Sequence, residues 1–248
     1  MKKLVFILSS SHAGSTMLDL ILGTHDDCSS LGEAWRKKGD GCDLCGSVCK
    51  HWNGFNYKKD VKFYKRLFDR FDSPILIDSS KKEDWTRTIA QNMSNVKVIR
   101  LKRDGRRRLL TYKKKFGEVS PEQIKRWVRK EKKIKWATRD IKCLDVKYED
   151  ICDGNGLQEC CDYIGIKYHP KIREYWKGEH HGFYGSCRAF SLVKSFNDIG
   201  MNNEECEFVE KQGLKVKADT DFSFLNEKEL TYFEKYGSHM NRKLGYII

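Results

Sequence analysis

Short apolar runs alternate with amphipathic stretches along this chain. The runs Leu4–Leu8, Ile75–Asp78, Val96–Leu101 and Cys143–Lys147 are too short for helices, which predicts buried strands, with a further short strand near Ser29–Leu31. Helices are expected over Ser15–Gly23, Lys59–Phe71, Glu83–Asn92, Gly105–Lys115, Pro121–Arg139, Gly156–Ile164, Asn203–Gln212 and Glu227–Leu244. Ser120 before Pro121, with Glu122 and Gln123 following, reads as a hydroxyl cap and a proline in the first turn. Strands alternating with helices predict an α/β fold, a mostly parallel sheet flanked by helices on both faces. Two stretches lack either period: a Gly/Cys-rich segment at 39–56, expected to be an insertion, and the Gly-punctuated segment 177–200. Irregular segments of this length in compact folds tend to carry function.

The first strand empties into the small-residue turn Ser9–Thr16 before a helix whose Met17, Leu18, Ile21 and Leu22 point inward. A strand, a small-residue loop and a helix start form a P-loop-like cradle, in which amide N–H groups and the helix dipole favour a phosphate-like anion. The nucleotide-binding pattern GxxxxGK[ST] laid on this turn matches Gly14 and Thr16, but places Ser9 at the first Gly and Ser15 at the Lys. An anion holder is expected, and an ordinary ATPase or GTPase is not.

Composition narrows the choices. At 248 residues the chain is expected to be one domain over 1–248, with the Cys-rich insertion inside it. No stretch approaches the roughly 20 apolar residues of a membrane span. The five-residue apolar run at the start is shorter than the roughly 7–15 of a signal-peptide core, so a cytoplasmic location is expected. A net charge of +13, concentrated between Lys97 and Lys147, implies an acidic ligand, an acidic polymer or an anionic surface, although Lys125–Lys135 also suits a solvated helix face. No zinc-finger, helix-turn-helix or RNA-recognition signature accompanies the charge, so no specific nucleic acid is expected. Among ten cysteines, Cys42, Cys45 and Cys49 with His51 form C-x2-C-x3-C-x-H. This pattern allows a structural Zn²⁺ site, with Cys28 as an alternative ligand, or a compact loop of reduced or paired thiols.

Four segments taken in order resemble the sulfotransferases that use 3′-phosphoadenosine 5′-phosphosulfate (PAPS). SSSHAGSTML at 9–18 resembles the family's 5′-phosphosulfate loop, and IDSSKKEDW at 77–85 the Asp-Ser-Ser-Lys segment of bacterial-type members. VIRLKRDGRRRLLTY at 98–112 is similar to the 3′-phosphate motif, in which an Arg precedes a Ser by eight positions; here Arg103 precedes Thr111 by eight. LDVKYEDIC at 144–152 resembles the strand-plus-YED segment that follows, HHGFYGSCRAF the late His/Gly/Arg loop, and MNRKLGYII the terminal helix.

The resemblance implies PAPS as co-substrate and a sulfuryl transfer that requires no metal. Ser11, His12, Ala13, Gly14, Ser15 and Thr16 would hold the 5′ end, and Arg103, Thr111 and Arg188 the 3′-phosphate. His12 stands where the family has Lys or Arg, so its charge would depend on pH near neutrality, and Lys81 would compensate as the cation reaching the transferring group. LGEAWR at 31–36 resembles the segment that carries a catalytic glutamate, which makes Glu33 the expected base; an ion pair with Arg36 is the competing role. His180 and His181 are reserve candidates, and Asp78 is expected to orient Ser79, Ser80 and Lys81. Acceptors with a hydroxyl on a sugar, a peptide tyrosine or a small metabolite fit this reading. Trp52, Phe55, Tyr57, Phe183 and Tyr184 could stack on such rings or form the insertion's own core. A basic nucleic-acid- or polyanion-binding module and a P-loop kinase are the competing classes.

Overall fold

The structure is a computed structural model that describes residues 2–247 apart from Lys37, Lys38, Tyr184, Leu214, Lys215 and 217–221, with backbone only for Thr111, Lys115 and Gln212. Five strands, β1 (Lys3–Leu8), β2 (Cys28–Ser30), β3 (Ile75–Asp78), β4 (Val96–Lys102) and β5 (Cys143–Lys147), form one sheet in the order β2-β3-β1-β4-β5. Every pairing is parallel, with Val5 opposite Ile77 on one side and Lys97 on the other. The expected strands and the α/β class are therefore present, the second strand one residue earlier than expected.

Alternation along β1 sorts its side chains to two faces, as the period of a strand requires. Val5 and Ile7 join a core with α1 (Ser15–Gly23), while Leu4, Phe6 and Leu8 join a second core on the opposite face. Ile75 and Ile77 against Leu76, and Ile99 and Leu101 against Val98, repeat the division. The second face is closed by α2 (Phe63–Phe68), α3 (Glu83–Asn92) and, with Trp52 and Phe55, the Cys-rich insertion. Helix α2 is only six residues, shorter than the expected 59–71.

Helices α4 (Gly105–Phe116) and α5 (Pro121–Ala137) share a smaller core through Leu109, Ile124 and Trp127. Ser120 caps α5 in a capping box with Gln123. Only one stripe of α5 is buried (Ile124, Trp127, Val128, Glu131, Ile134, Ala137), so its lysine-rich remainder is the solvated face. After β5 come α6 (Tyr148–Asp153) and α7 (Asn155–Ile164). Next is α8 (Cys187–Phe196), a helix within the segment expected to be irregular; its Ala189, Phe190, Leu192 and Val193 are buried. The chain then forms α9 (Asn203–Gln212), α10 (Glu227–Tyr236) and α11 (Ser238–Lys243), the last two breaking the expected 227–244 helix at Gly237. Among the described residues no helix is long and apolar enough to cross a membrane.

Candidate active site

In a parallel sheet all carboxyl ends of the strands lie on one edge, where the connections to either side diverge and ligands are commonly held. The candidate residues each follow one of these ends: His12 after β1, Glu33 after β2, Lys81 after β3, Arg103 after β4 and Tyr148 after β5. The central strand β1 supplies the loop. Glu33 and Lys81 lie on its β3 side, Arg103 and Tyr148 on its β4 side.

Gly14, in the left-handed region at φ 95°, opens α1 without a side-chain cap, so its residue type leaves the first amides of the helix to another acceptor. A Cβ at Gly14 would lie 2.3 Å from Cδ2 of Tyr148, so only glycine fits against that ring. The Tyr148 ring also lies under the Arg103 guanidinium, 4.0 Å away. Arg103 donates from Nη1 to the His12 carbonyl at 3.0 Å, while its buried Nε has no hydrogen-bond partner. Ser11 is exposed, Ala13 and Ser15 are buried, and the Thr16 hydroxyl accepts from the amide of Ser186 at 3.0 Å.

Four non-glycine residues among those described have left-handed backbone, and two of them are His12 (φ 65°) and Lys81 (φ 57°). Such conformations cost of order 1–3 kcal/mol and persist where the surroundings over-determine them. Around Lys81 the determinants are plain. Lys130 Nζ donates to the Lys81 carbonyl at 2.7 Å and pairs with Glu83 at 2.8 Å. Just upstream, Asp78 accepts from the Ser80 amide at 2.6 Å and from the Tyr64 hydroxyl at 2.7 Å, so it orients this turn as expected. Full enclosure raises the Asp78 pKa to about 6. Ser79 donates to Asp19 at 3.0 Å, and burial raises that carboxyl to about 8, so it is held protonated at neutral pH.

Lys81 Nζ lies 2.5 Å from Glu33 Oε1 and 3.2 Å from Ser15 Oγ, which joins the expected cation, base and loop in one cluster. Arg36 Nε lies 3.2 Å from the other Glu33 oxygen, so the competing ion pair is present as well. Glu33 itself is buried, and its amide donates to the Phe183 carbonyl at 2.8 Å. Gly32 makes that contact possible: a Cβ there would sit 2.5 Å from the Phe183 amide nitrogen.

His12 differs from expectation. Although the residue is exposed, enough protein surrounds its ring that desolvation, then Arg108, Lys81, Arg103 and Arg188, hold its pKa down to about 4. The charges acting on it, from these four cations, push in the same direction as desolvation. His12 is therefore a neutral donor or acceptor at pH 7, and the positive charge comes from the lysine and arginines. Arg188 is exposed, with its guanidinium 5.6 Å from the Phe208 ring. The side chain of Thr111 lies outside the described residues.

Sequence reasoning missed Arg108. It is buried, its Nε and Nη1 have no hydrogen-bond partner, and it heads the charges acting on His12. Burial lowers its pKa, yet a guanidinium stays charged at pH 7. Three consecutive arginines hide which one acts on His12: Arg106 pairs with Asp104 at 2.6 Å, and Arg107, also buried, lies over Phe222 and Phe224. Glu131 was also missed; burial raises its pKa, and Trp127 Nε1 donates to it at 3.1 Å.

Two further expectations need correction. His51 is not the partner of the cysteines, because its Nδ1 lies 2.7 Å from the Arg70 carbonyl and its ring stacks on Phe71; His181 faces the thiols instead. His180 is unsuited as a reserve base, since its Nε2 is bonded to the Tyr175 carbonyl at 2.7 Å and burial lowers its pKa to about 4. Of the two roles open to the aromatic residues, Trp52, Phe55 and Phe183 take that of core, with Trp52 edge-on to Phe183 at 4.3 Å. Tyr57 is half-buried and donates to the Trp52 carbonyl at 3.1 Å, and Tyr184 lies outside the described residues.

A parallel five-stranded sheet with these strand-end loops is the fold of the sulfotransferases. The sulfotransferase domain from the curacin biosynthetic pathway matches with a TM-score of 0.54 over 87% of this chain and 99% of that one, at 16% identity. The sulfotransferase domain of the Synechococcus PCC 7002 olefin synthase gives 0.51 over 85% and 95%, also at 16% identity. Mouse sulfotransferase SULT7A1, solved in complex with PAP, gives 0.51 over 99% and 89%, at 12% identity. No protein-family model and no curated protein matches the sequence.

Proposed function

We propose that the protein transfers a sulfuryl group from PAPS to a hydroxyl acceptor. The observation that carries this reading is the convergence of Lys81 with Glu33 at 2.5 Å and with Ser15 of the loop at 3.2 Å, on the sheet edge that also bears Arg103. In this reading the amides of 13–16 and the hydroxyls of Ser11 and Ser15 receive the 5′ phosphosulfate, while Arg103, Thr111 and Arg188 receive the 3′-phosphate. Glu33 takes the acceptor's proton as the acceptor oxygen bonds to sulfur. The bond from sulfur to the phosphate oxygen breaks, and 3′,5′-ADP leaves with that electron pair. Lys81, His12 and Arg108 face the oxygens that gain charge, so positioning and electrostatics supply most of the rate. A structure in complex with PAP among the neighbours supports the nucleotide, and the buried, unbonded guanidinium nitrogens of Arg103 and Arg108 support anions at this sheet edge.

Thermal unfolding with 3′,5′-ADP, ADP and a short DNA tests the reading. Only 3′,5′-ADP occupies both poles, so at about 100 times its Kd it should add about 2.7 kcal/mol, well beyond ADP at the same concentration. Release of 3′,5′-ADP from PAPS in the presence of hydroxyl acceptors completes the test. An equal response to both nucleotides would favour a kinase, and a response to DNA alone a polyanion-binding module.

A further inference from the structure

Away from the cluster just described, Cys42, Cys45, Cys49 and His181 offer three Sγ atoms and one imidazole nitrogen that all lie within 4.8 Å of one another. His181 Nδ1 is 3.2 Å from Cys45 Sγ and 3.5 Å from Cys49 Sγ, close to the edge lengths of a tetrahedron built on Zn–S of about 2.3 Å and Zn–N of about 2.0–2.1 Å. We propose that these four side chains bind one structural Zn²⁺, which clamps the insertion to the segment carrying His181 and Phe183.

Three features beyond the grouping support the assignment. The other ring nitrogen, Nε2, lies 2.9 Å from Glu179 Oε1; a carboxylate there fixes the proton on Nε2 and leaves the Nδ1 lone pair facing the thiols, the usual outer arrangement of a metal-bound histidine. The Cys45 amide donates to Cys42 Sγ at 3.1 Å inside a turn closed by paired Cys42–Gly46 backbone bonds, so the turn itself fixes where that sulfur points. All ten cysteines are free, so these three sulfurs are not spent on disulfides. Three thiolates and an imidazole form a soft, closed, four-ligand set suited to Zn²⁺ and without an open position for substrate, so the role is structural. The four ligands come from two segments that the chain separates by more than a hundred residues, and no helix or strand joins them. Beside the cluster itself, links between them include the Trp52 Nε1 bond to the His181 carbonyl at 2.6 Å and the Asp43 amide bond to the Gly182 carbonyl at 3.3 Å.

The test uses the full chain produced with zinc in the medium and purified under reductant. Metal analysis is expected to find about one Zn²⁺ per chain. Replacing Zn²⁺ by Co²⁺ should give the intense visible bands of a four-coordinate site and a sulfur-to-cobalt charge-transfer band. Cys49→Ser and His181→Ala should lose most of the bound zinc. His181→Cys should keep it, as should His51→Ala and Cys187→Ser, which lie outside the ligand set. Should Cys49→Ser fail to fold, the cobalt spectrum of the unaltered chain decides alone. A folded, reduced chain with no zinc and no four-coordinate cobalt spectrum would overturn the proposal. So would zinc lost equally from His51→Ala and His181→Ala, or iron in place of zinc. These readouts involve no nucleotide, so the clamp stands or falls independently of the transferase reading.

Discussion

The strand-end cluster and the wall formed by the insertion with the 178–186 segment are built in opposite ways. At the strand ends, regular elements deliver a few charged groups to fixed points, and strained turns at His12 and Lys81 are held by buried bonds such as Lys130 to the Lys81 carbonyl. In the wall, aromatic edges and the Cys–His cluster do the holding, with Trp52 touching Phe55, Phe71 and Phe183. One region therefore places chemistry with little mass, and the other supplies mass with little chemistry. They meet where the Glu33 amide bonds to Phe183. A charged cluster at strand ends can thus lean on a wall held by aromatic packing.

This contrast predicts that substitutions should sort by kind of effect. The largest is expected from Glu33→Gln, which keeps the shape but removes the proposed base; transfer should fall about 10²–10⁴-fold while 3′,5′-ADP affinity holds. A retained rate would move the base elsewhere. Trp52→Ala should do the reverse, costing about 3–5 kcal/mol in denaturant unfolding, because a fully buried indole leaves a cavity and an unpaired His181 carbonyl. Lys81→Ala should lower kcat about 10²–10³-fold with a smaller effect on donor affinity; loss of affinity alone would make it a binding residue.

Asp19 gives a smaller, pH-linked effect. Its folded pKa, raised to about 8 from 3.8, means the native state keeps a proton that the unfolded chain has released. The stability this contributes is complete below the unfolded value and is lost as pH rises towards 8. Melting temperature should therefore fall as pH is raised across that window, and Asp19→Asn should flatten the slope. Asp78, raised to about 6, adds a loss of the same sign at the acid end. The smallest effect concerns His12: with its pKa near 4, the rate profile should lack a histidine inflection between about pH 6 and 7, where an ordinary imidazole titrates. His12→Lys should retain or raise transfer.

Much of the strand-end cluster was legible because each part is local. The apolar run of β1, the small-residue turn, the Asp-Ser-Ser-Lys turn and Arg103 each sit within a few residues of a strand end, so the strand pattern places them on one edge, while the family resemblance singled out the last two. Contacts between distant segments were not legible. His51 lies beside the cysteines in sequence, yet His181 reaches them across a separation of 132 positions from Cys49. Likewise nothing local distinguishes Arg108 from Arg106 and Arg107; tertiary packing buries both Arg107 and Arg108 and sets only Arg108 against His12. Helix α8 was hidden by the glycines before it, although its buried positions repeat with helical spacing once its start is known.

Helix α11 has a consequence for how the protein is made. Asn241, fully buried, accepts from the Gly105 amide at 2.8 Å and donates to Asp104 at 3.2 Å, just past Arg103. The turn that aims this guanidinium is thus fastened by a side chain translated 136 residues after Gly105. A ribosome-bound nascent chain can assemble the sheet long before that fastening exists. On the proposed reading, nucleotide affinity should accordingly emerge only after Asn241 has been made, and not as the core first folds.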